Sequence, residues 1–257
     1  MNAKGESIVE QLLQRQALRR WTRTADEVAM LDHAGLRSVR SRARALKRQL
    51  DRVIHETDDR LTLPMIGSSA MRRPEGADWS WRPEPWRARL PVPGMAEIGN
   101  RTEAAPGVTL FHDCRLSELS LRQIRNQREA DLAPFGMRLD VFRFDGSFLS
   151  LAIGLPPAAV AGLRRKHIIR LDTIVEVEKP LEIFARLNVK HGPNVEQIVR
   201  ELPLGAQEVM VEFDLAHTQM NEKRVEGMWV DMIFEGPRMN QITLRDVTLC
   251  RRPRAEL

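Results

Sequence analysis

Tyrosine is missing from this 257-residue chain, and aromatic residues make up only 5% of it. Binding surfaces paved with several aromatic rings are therefore hard to build, and only Trp229 and the connector tryptophans Trp79, Trp81 and Trp86 are left to supply stacking platforms. Two cysteines, Cys114 and Cys250, are too few for a disulfide framework, which makes a reducing, cytoplasmic setting the expectation. Long apolar runs are lacking as well. The longest, Leu149 to Leu163, is interrupted by Gly154, Pro156, Pro157 and Gly162, well short of the roughly 20 apolar residues of a membrane span. Met1 to Leu13 carries Glu6 and Glu10 and has no apolar stretch of the kind a secretory signal needs. The phosphate-binding GxxxxGK[ST] and GxGxxG loops are absent, as are GxSxG, HExxH and CxxC, so nucleotide-binding, α/β-hydrolase and zinc-site chemistries have no support. Lysine is scarce too: it supplies six of the 40 basic residues, a bias that GC-rich coding alone produces.

What is present is a composition of 42% apolar and 29% charged residues, that of a globular chain with a sizeable core. The pI of about 9.7 invites a nucleic-acid partner, but the charge is local. Residues 1–62 carry 13 basic and 9 acidic side chains, residues 63–106 carry 6 and 5, and residues 107–257 carry 21 and 21. The excess belongs to the first 106 residues.

The spacing of apolar residues predicts helix from residue 6 to about residue 60, as a helical N-terminal arm over residues 1–63. Ile8, Leu12, Leu13 and Leu18 mark a first helix. Thr24 and Glu27 have capping-box spacing and predict the start of a second. Leu36, Val39, Ala43, Leu46, Leu50 and Val53 then follow a 3-4 heptad rhythm, a coiled-coil-like seam that Pro64 and Gly67 close. In a parallel self-pair Arg42 would face Lys47, like against like, which points the seam toward the first helix or the rest of the chain. Arg37, Arg40, Arg44, Lys47 and Arg48 form a basic stripe, a candidate contact for phosphates, an acidic protein or an anionic surface, or a solvated helix face. Residues 64–107, rich in Pro and Gly and carrying Trp79, Trp81 and Trp86, read as an irregular connector packed on the following domain, because three exposed tryptophans would cost too much.

From residue 108 to 257 the pattern is β. Candidate strands are Val108–His112, Arg138–Phe144, Ser147–Ile153, His167–Val177, Leu181–Lys190, Glu208–Leu215, Met228–Glu235 and Gln241–Arg251. Short helices are expected near Leu119–Glu129 and Asn194–Arg200, and Asp145-Gly146 reads as a hairpin turn. Strands without crossover helices predict a mainly β chain: an antiparallel two-sheet, jelly-roll-like sandwich. In the last strand the inward set slips from Ile242 and Leu244 to Val247 and Leu249, which predicts a β-bulge near Arg245 and Asp246.

Alternation opposes an apolar face to a polar one carrying Arg186, Asn188, Lys190, Glu212, Asp214, Trp229 and Asp231. That set is the candidate binding face for a glycan or another polar ligand, with Trp229 as platform. A solvated sheet face laced with salt bridges is the plain alternative. Paired carboxylates on that face, or Cys114 beside His112 and Asp113, are the residues an enzyme acting on saccharides or acyl groups would use. An inert thiol is the simpler account of each cysteine, and a non-catalytic binding or assembly role fits the missing motifs best.

The strand pair over residues 228–251, with Ile242, Leu244, Asp246, Val247 and Leu249 after Trp229, resembles the end of jelly-roll carbohydrate-binding modules and galactose-binding-like domains. The resemblance implies a sugar-type ligand and a structural calcium ion near Asp246, with no other cofactor. The stretches 108–114, 185–194 and 242–249 resemble a bacterial family of uncharacterised proteins, which brings no activity with it.

Overall fold

The computed structural model describes residues 8–65, 71, 73–128, 131–205 and 208–254. Gly67 and Glu129, expected to close a helical region and a short helix, lie outside them. Two compact units emerge, Met1–Glu56 and Thr57–Leu257.

The first unit holds α1 (Ile8–Glu27), a short 3-10 turn (Val28–Met30) and the greater part of α2 (His33–Met65), which continues past Glu56. The second helix does not start at Thr24. The Thr24 hydroxyl donates to the Arg20 carbonyl at 2.9 Å, so this residue sits within α1. The N-cap is Asp32: its carbonyl accepts the first helical bond from Leu36 at 2.9 Å, and its Oδ1 accepts the Gly35 amide at 2.8 Å. A Cβ on Gly35 would lie 3.0 Å from that oxygen, so the glycine leaves the cap room. None of the seam positions of α2 is buried, and Leu12, Leu13 and Leu18 of α1 are exposed. Of the seam positions, Val39 and Ala43 are half-buried and Leu36, Leu46, Leu50 and Val53 are exposed.

The second unit is mainly β. Its strands are β1 (Trp79–Trp81), β2 (Gly94–Ala96), β3 (Thr102–Ala105), β4 (Val108–His112), β5 (Leu119–Arg125), β6 (Phe135–Val141), β7 (Leu149–Gly154), β8 (His167–Val177), β9 (Ile183–His191), β10 (Asn194–Glu201), β11 (Glu208–Asp214), β12 (Val225–Phe234) and β13 (Asn240–Pro253). One sheet has the order β11-β8-β13-β6-β5-β2, with β1 on β13, and the other β10-β9-β12-β7-β4-β3. Every pairing is antiparallel, and the chain passes repeatedly from one sheet to the other, giving the jelly-roll-like sandwich. Alternation sets the core: Ile183, Ala185, Leu187 and Val189 of β9, Val230, Met232 and Phe234 of β12, and Val209, Val211 and Phe213 of β11 turn inward, and Met228 of β12 joins them.

The eight expected strands are present, with ends shifted by a few residues. Both expected short helices are strands instead, β5 and β10. β5 keeps Leu119 and Leu121 in alternating buried positions, and β10 is a solvent-facing edge whose polar composition hides its pairing with β9. Asp145 and Gly146 do not make a hairpin, because β6 and β7 belong to different sheets; Gly192-Pro193 does, joining β9 to β10 with Gly192 at φ 58°. The bulge lies where the phase slip put it: pairing with β8 jumps between Leu244 and Asp246, leaving Arg245 as the extra residue. On one side of it β13 pairs with β6, and on the other with β1. The Trp-rich run is anchored there. Trp86, in the short helix α3 (Glu84–Arg87), is fully buried and donates Nε1 to the Leu244 carbonyl at 2.8 Å, while Trp79 and Trp81 stack at 6.4 Å.

Candidate functional site

The outer face of the six-stranded sheet carries the site. Register aligns its outward residues in rows: Asn188, Trp229 and Gly154 in one, Arg186, Asp231, Ala152 and Thr109 in the next, then Phe184, Ile233, Ser150 and Phe111. The outward positions of β7 are thus Ser150, Ala152 and Gly154, all small. Bulky side chains rise on either side, Trp229, Ile233 and Arg186 from β12 and β9, and Phe111 of β4 with Phe148, the residue before β7. A row of small residues between rows of large ones makes a trough, and the groove here has a volume of ≈ 710 Å³. That lies within the few hundred to about 1,000 Å³ of small-ligand sites.

Polar groups in the groove are fixed before any ligand arrives. Asp231 is 5% exposed, and its Oδ2 accepts from Arg186 Nε at 3.0 Å, Arg186 Nη2 at 2.8 Å and Asn188 Nδ2 at 2.9 Å. Asn188 Oδ1 in turn accepts from Gln197 Nε2 at 2.9 Å, so a hydrogen-bonded chain runs over β10, β9 and β12. The three bonds converge on one carboxylate oxygen. Asp231 Oδ1 takes no hydrogen bond among the described residues, and Asp231 is one of the residues that line the groove.

Of the seven candidate face residues, Arg186, Asn188, Trp229 and Asp231 come together. Lys190 shares the sheet face but lies off the groove, ion-paired with Glu226 at 2.8 Å, and that contact holds the Glu226 carboxyl below its ordinary value. Glu212 and Asp214 do not join them. They stand on the outer face of the other sheet, Glu212 against Arg252 at 3.2 Å and Asp214 accepting the Ala216 amide at 2.9 Å, with Arg254 at 3.4 Å. Alternation identified their face of the strand correctly but carries no information about which sheet the strand joins. Phe111, Phe148 and the small outward row of β7 were missed; the spacing Ser150-x-Ala152-x-Gly154 beside two phenylalanines is the signal that locates them.

A family model spans residues 1–257. The chain belongs to a family of unknown function, DUF6478. No curated protein matches it. Among solved structures it is similar in fold to bacteriophage CBA120 tailspike protein 4, at 7% identity over 55% of this chain and 19% of that chain, TM-score 0.39. It is also similar to the family 11 carbohydrate-binding module from Clostridium thermocellum, solved with a mixed-linked tetrasaccharide, at 10% identity over 65% and 100% of the two chains, TM-score 0.36. The C-terminal family 22 carbohydrate-binding module of Clostridium thermocellum Xyn10B gives 7% identity over 73% and 99%, TM-score 0.36. The chain thus spans about a fifth of the tailspike chain and nearly all of the two modules.

In this DUF6478 member His112, Asp113 and Asp246 have structural partners. His112 is buried, with Nε2 2.8 Å from the Ile98 carbonyl and Nδ1 accepting the Cys114 amide at 3.1 Å. Asp113 accepts from the Ser147 amide at 2.7 Å, the Ser147 hydroxyl at 2.6 Å and the Phe148 amide at 3.2 Å; the hydroxyl bond leads in holding its carboxyl below the usual range. Desolvation raises the Cys114 thiol, the opposite of an activated nucleophile. Asp246 spends both carboxylate oxygens on Arg82, each at 2.8 Å, and no group of three or more His, Cys, Asp or Glu able to hold a metal ion occurs among the described residues. Arg37, Arg40, Arg44, Lys47 and Arg48 are all exposed, and of these only Lys47 has an ion pair among the described residues, with Asp51. No described helix is long and apolar enough to cross a membrane.

Proposed function

We propose that the chain is a non-catalytic binding protein whose groove on the six-stranded sheet takes a neutral saccharide. The observation that carries this reading is the pairing of an indole with a half-satisfied carboxylate. Trp229 offers an apolar face to the C–H side of a sugar ring, and Asp231 Oδ1, held in place from behind, accepts from ring hydroxyls. Phe111 and Phe148 extend the apolar surface and offset the lack of tyrosine. Arg186 and Asp231 neutralise each other, which favours an uncharged ligand over an acidic or basic one. Asp231 is the one carboxylate lining the groove among the described residues, whereas glycoside hydrolysis uses two about 5 to 9 Å apart. Among its described residues the groove thus lacks the carboxylate pair on which that hydrolysis depends, which supports a binding role.

A glycan array followed by calorimetric titration of the hits tests the reading. Trp229→Ala and Asp231→Asn are each expected to weaken binding by about tenfold or more, the loss of about 1.4 kcal/mol of stacking or charge-assisted hydrogen bonding. Glu212→Gln, on the other sheet, leaves affinity unchanged. Failure of every glycan to bind, or undiminished binding by both groove variants, overturns the reading.

A further inference from the structure

The first unit carries a surface the groove does not explain. Helix α2 places Leu36, Val39, Ala43, Leu46 and Leu50 within about 100° of its circumference, at roughly 100° per residue. Leu36, Leu46 and Leu50 are 37%, 39% and 52% exposed. Over residues 33–54 the helix holds seven basic side chains, Arg37, Arg40, Arg42, Arg44, Lys47, Arg48 and Arg52, against a single acid, Asp51. Arg40 and Lys47 border the apolar arc on one side and Arg42 on the other, so cations flank it on both edges. Arg37, Arg40, Arg42, Arg44 and Arg48 form no ion pair among the described residues.

An occupant of this surface must accept leucines and positive charge together. A second copy in parallel register sets Arg42 against Lys47, and charge repulsion opposes it. A nucleic acid answers the arginines and leaves the apolar arc in water. An anionic bilayer answers both, because acyl chains take the leucines at the depth where lipid phosphates meet the flanking guanidiniums. We propose that α2 lies along an anionic lipid surface, its apolar arc at the headgroup–acyl boundary and Arg40, Arg42 and Lys47 on lipid phosphates.

Co-sedimentation of the full chain with vesicles tests this. Binding is expected to vesicles of about one-third phosphatidylserine in phosphatidylcholine and to be at least about tenfold weaker on phosphatidylcholine alone. It should fall at least about tenfold between about 0.1 M and about 1 M salt, as the screening length drops from about 10 Å to about 3 Å. Replacing Arg40, Arg42 and Lys47 together by Gln weakens it by about tenfold or more. Leu46→Gln with Leu50→Gln also weakens it, which a purely electrostatic contact does not predict; circular dichroism of each variant shows that the helix is retained. Trp229→Ala leaves vesicle binding intact, so this outcome is separate from saccharide binding. Equal binding to both vesicle types, no binding to either, full binding by the Leu46/Leu50 variant, or displacement from vesicles by an equal charge concentration of duplex DNA each overturns the proposal.

Discussion

Replacing Asp246 by Asn removes one charge from the point where the sandwich holds its N-terminal Trp/Pro segment. Just past the bulge in β13, Asp246 meets Arg82, the residue after β1, through two hydrogen bonds of 2.8 Å. The side chains are 11% and 3% exposed, so water screens the pair little. The bond geometry is bidentate and parallel, the strongest form of a carboxylate–guanidinium contact. Asn keeps the shape and one acceptor but sets a neutral amide against the buried Arg82 guanidinium. Breaking a buried pair from one side costs about 3–5 kcal/mol, and the retained acceptor puts Asp246→Asn near about 3 kcal/mol. At about 2–4 °C per kcal/mol for a domain of this size, the melting temperature falls by about 6–12 °C. Thermal unfolding followed by circular dichroism, with urea unfolding for the free energy, measures it. Removing both charges, with Arg82→Met and Asp246→Leu together, recovers most of the loss because apolar packing then replaces the buried ion pair. A shift under about 2 °C for the single variant, or a double variant no more stable than the single, refutes the reasoning.

Two further outcomes follow from local geometry. Gly146→Ala puts a Cβ 2.4 Å from Asp113 Oδ1 and 3.0 Å from the Cys114 amide nitrogen. That carboxylate is held by Ser147 and Phe148 and cannot swing away cheaply, so urea unfolding should show a loss of about 1–3 kcal/mol. Burial pushes the Cys250 thiol up to about 11, so it stays protonated at pH 8 and a thiolate-specific reagent should leave it unmodified in the folded protein. As pH rises past the ordinary thiol value of 9.0 the unfolded chain gives up this proton first, so Cys250 makes folding less favourable there. Rapid labelling of Cys250 in native protein at pH 8 contradicts this.

Much of the sandwich was legible in the sequence because a strand with one buried face writes its orientation in period two. The inward sets of β9, β11 and β12 follow from alternation alone, and so does the bulge at Arg245, since an extra residue is the only way a continuous strand can change phase. The segments that misled lack that imprint. β10 is an edge with polar and charged residues on both faces, and β1, β2 and β3 are too short to show a period. Thr24 offered a cap by spacing, but Asp32 won it because the 3-10 turn at Val28–Met30 ends with Leu31 in an extended conformation (ψ 145°), resetting where helix can begin.

The candidate site divides along the same line. Sequence by itself determined that Arg186, Asn188, Trp229 and Asp231 stand on outward faces, and that the charge excess lies in the first 106 residues. Tertiary structure alone decided that Asp231 meets Arg186 while Glu212 and Asp214 face away on the other sheet, and that small residues of β7 open a trough beside Trp229. The reason is physical: the side to which a side chain points is set by backbone geometry within its own strand, whereas its neighbours are set by strand pairings between residues far apart in the chain. In this protein the partners of Asp231 lie 43 and 45 residues away, and no local pattern encodes that distance.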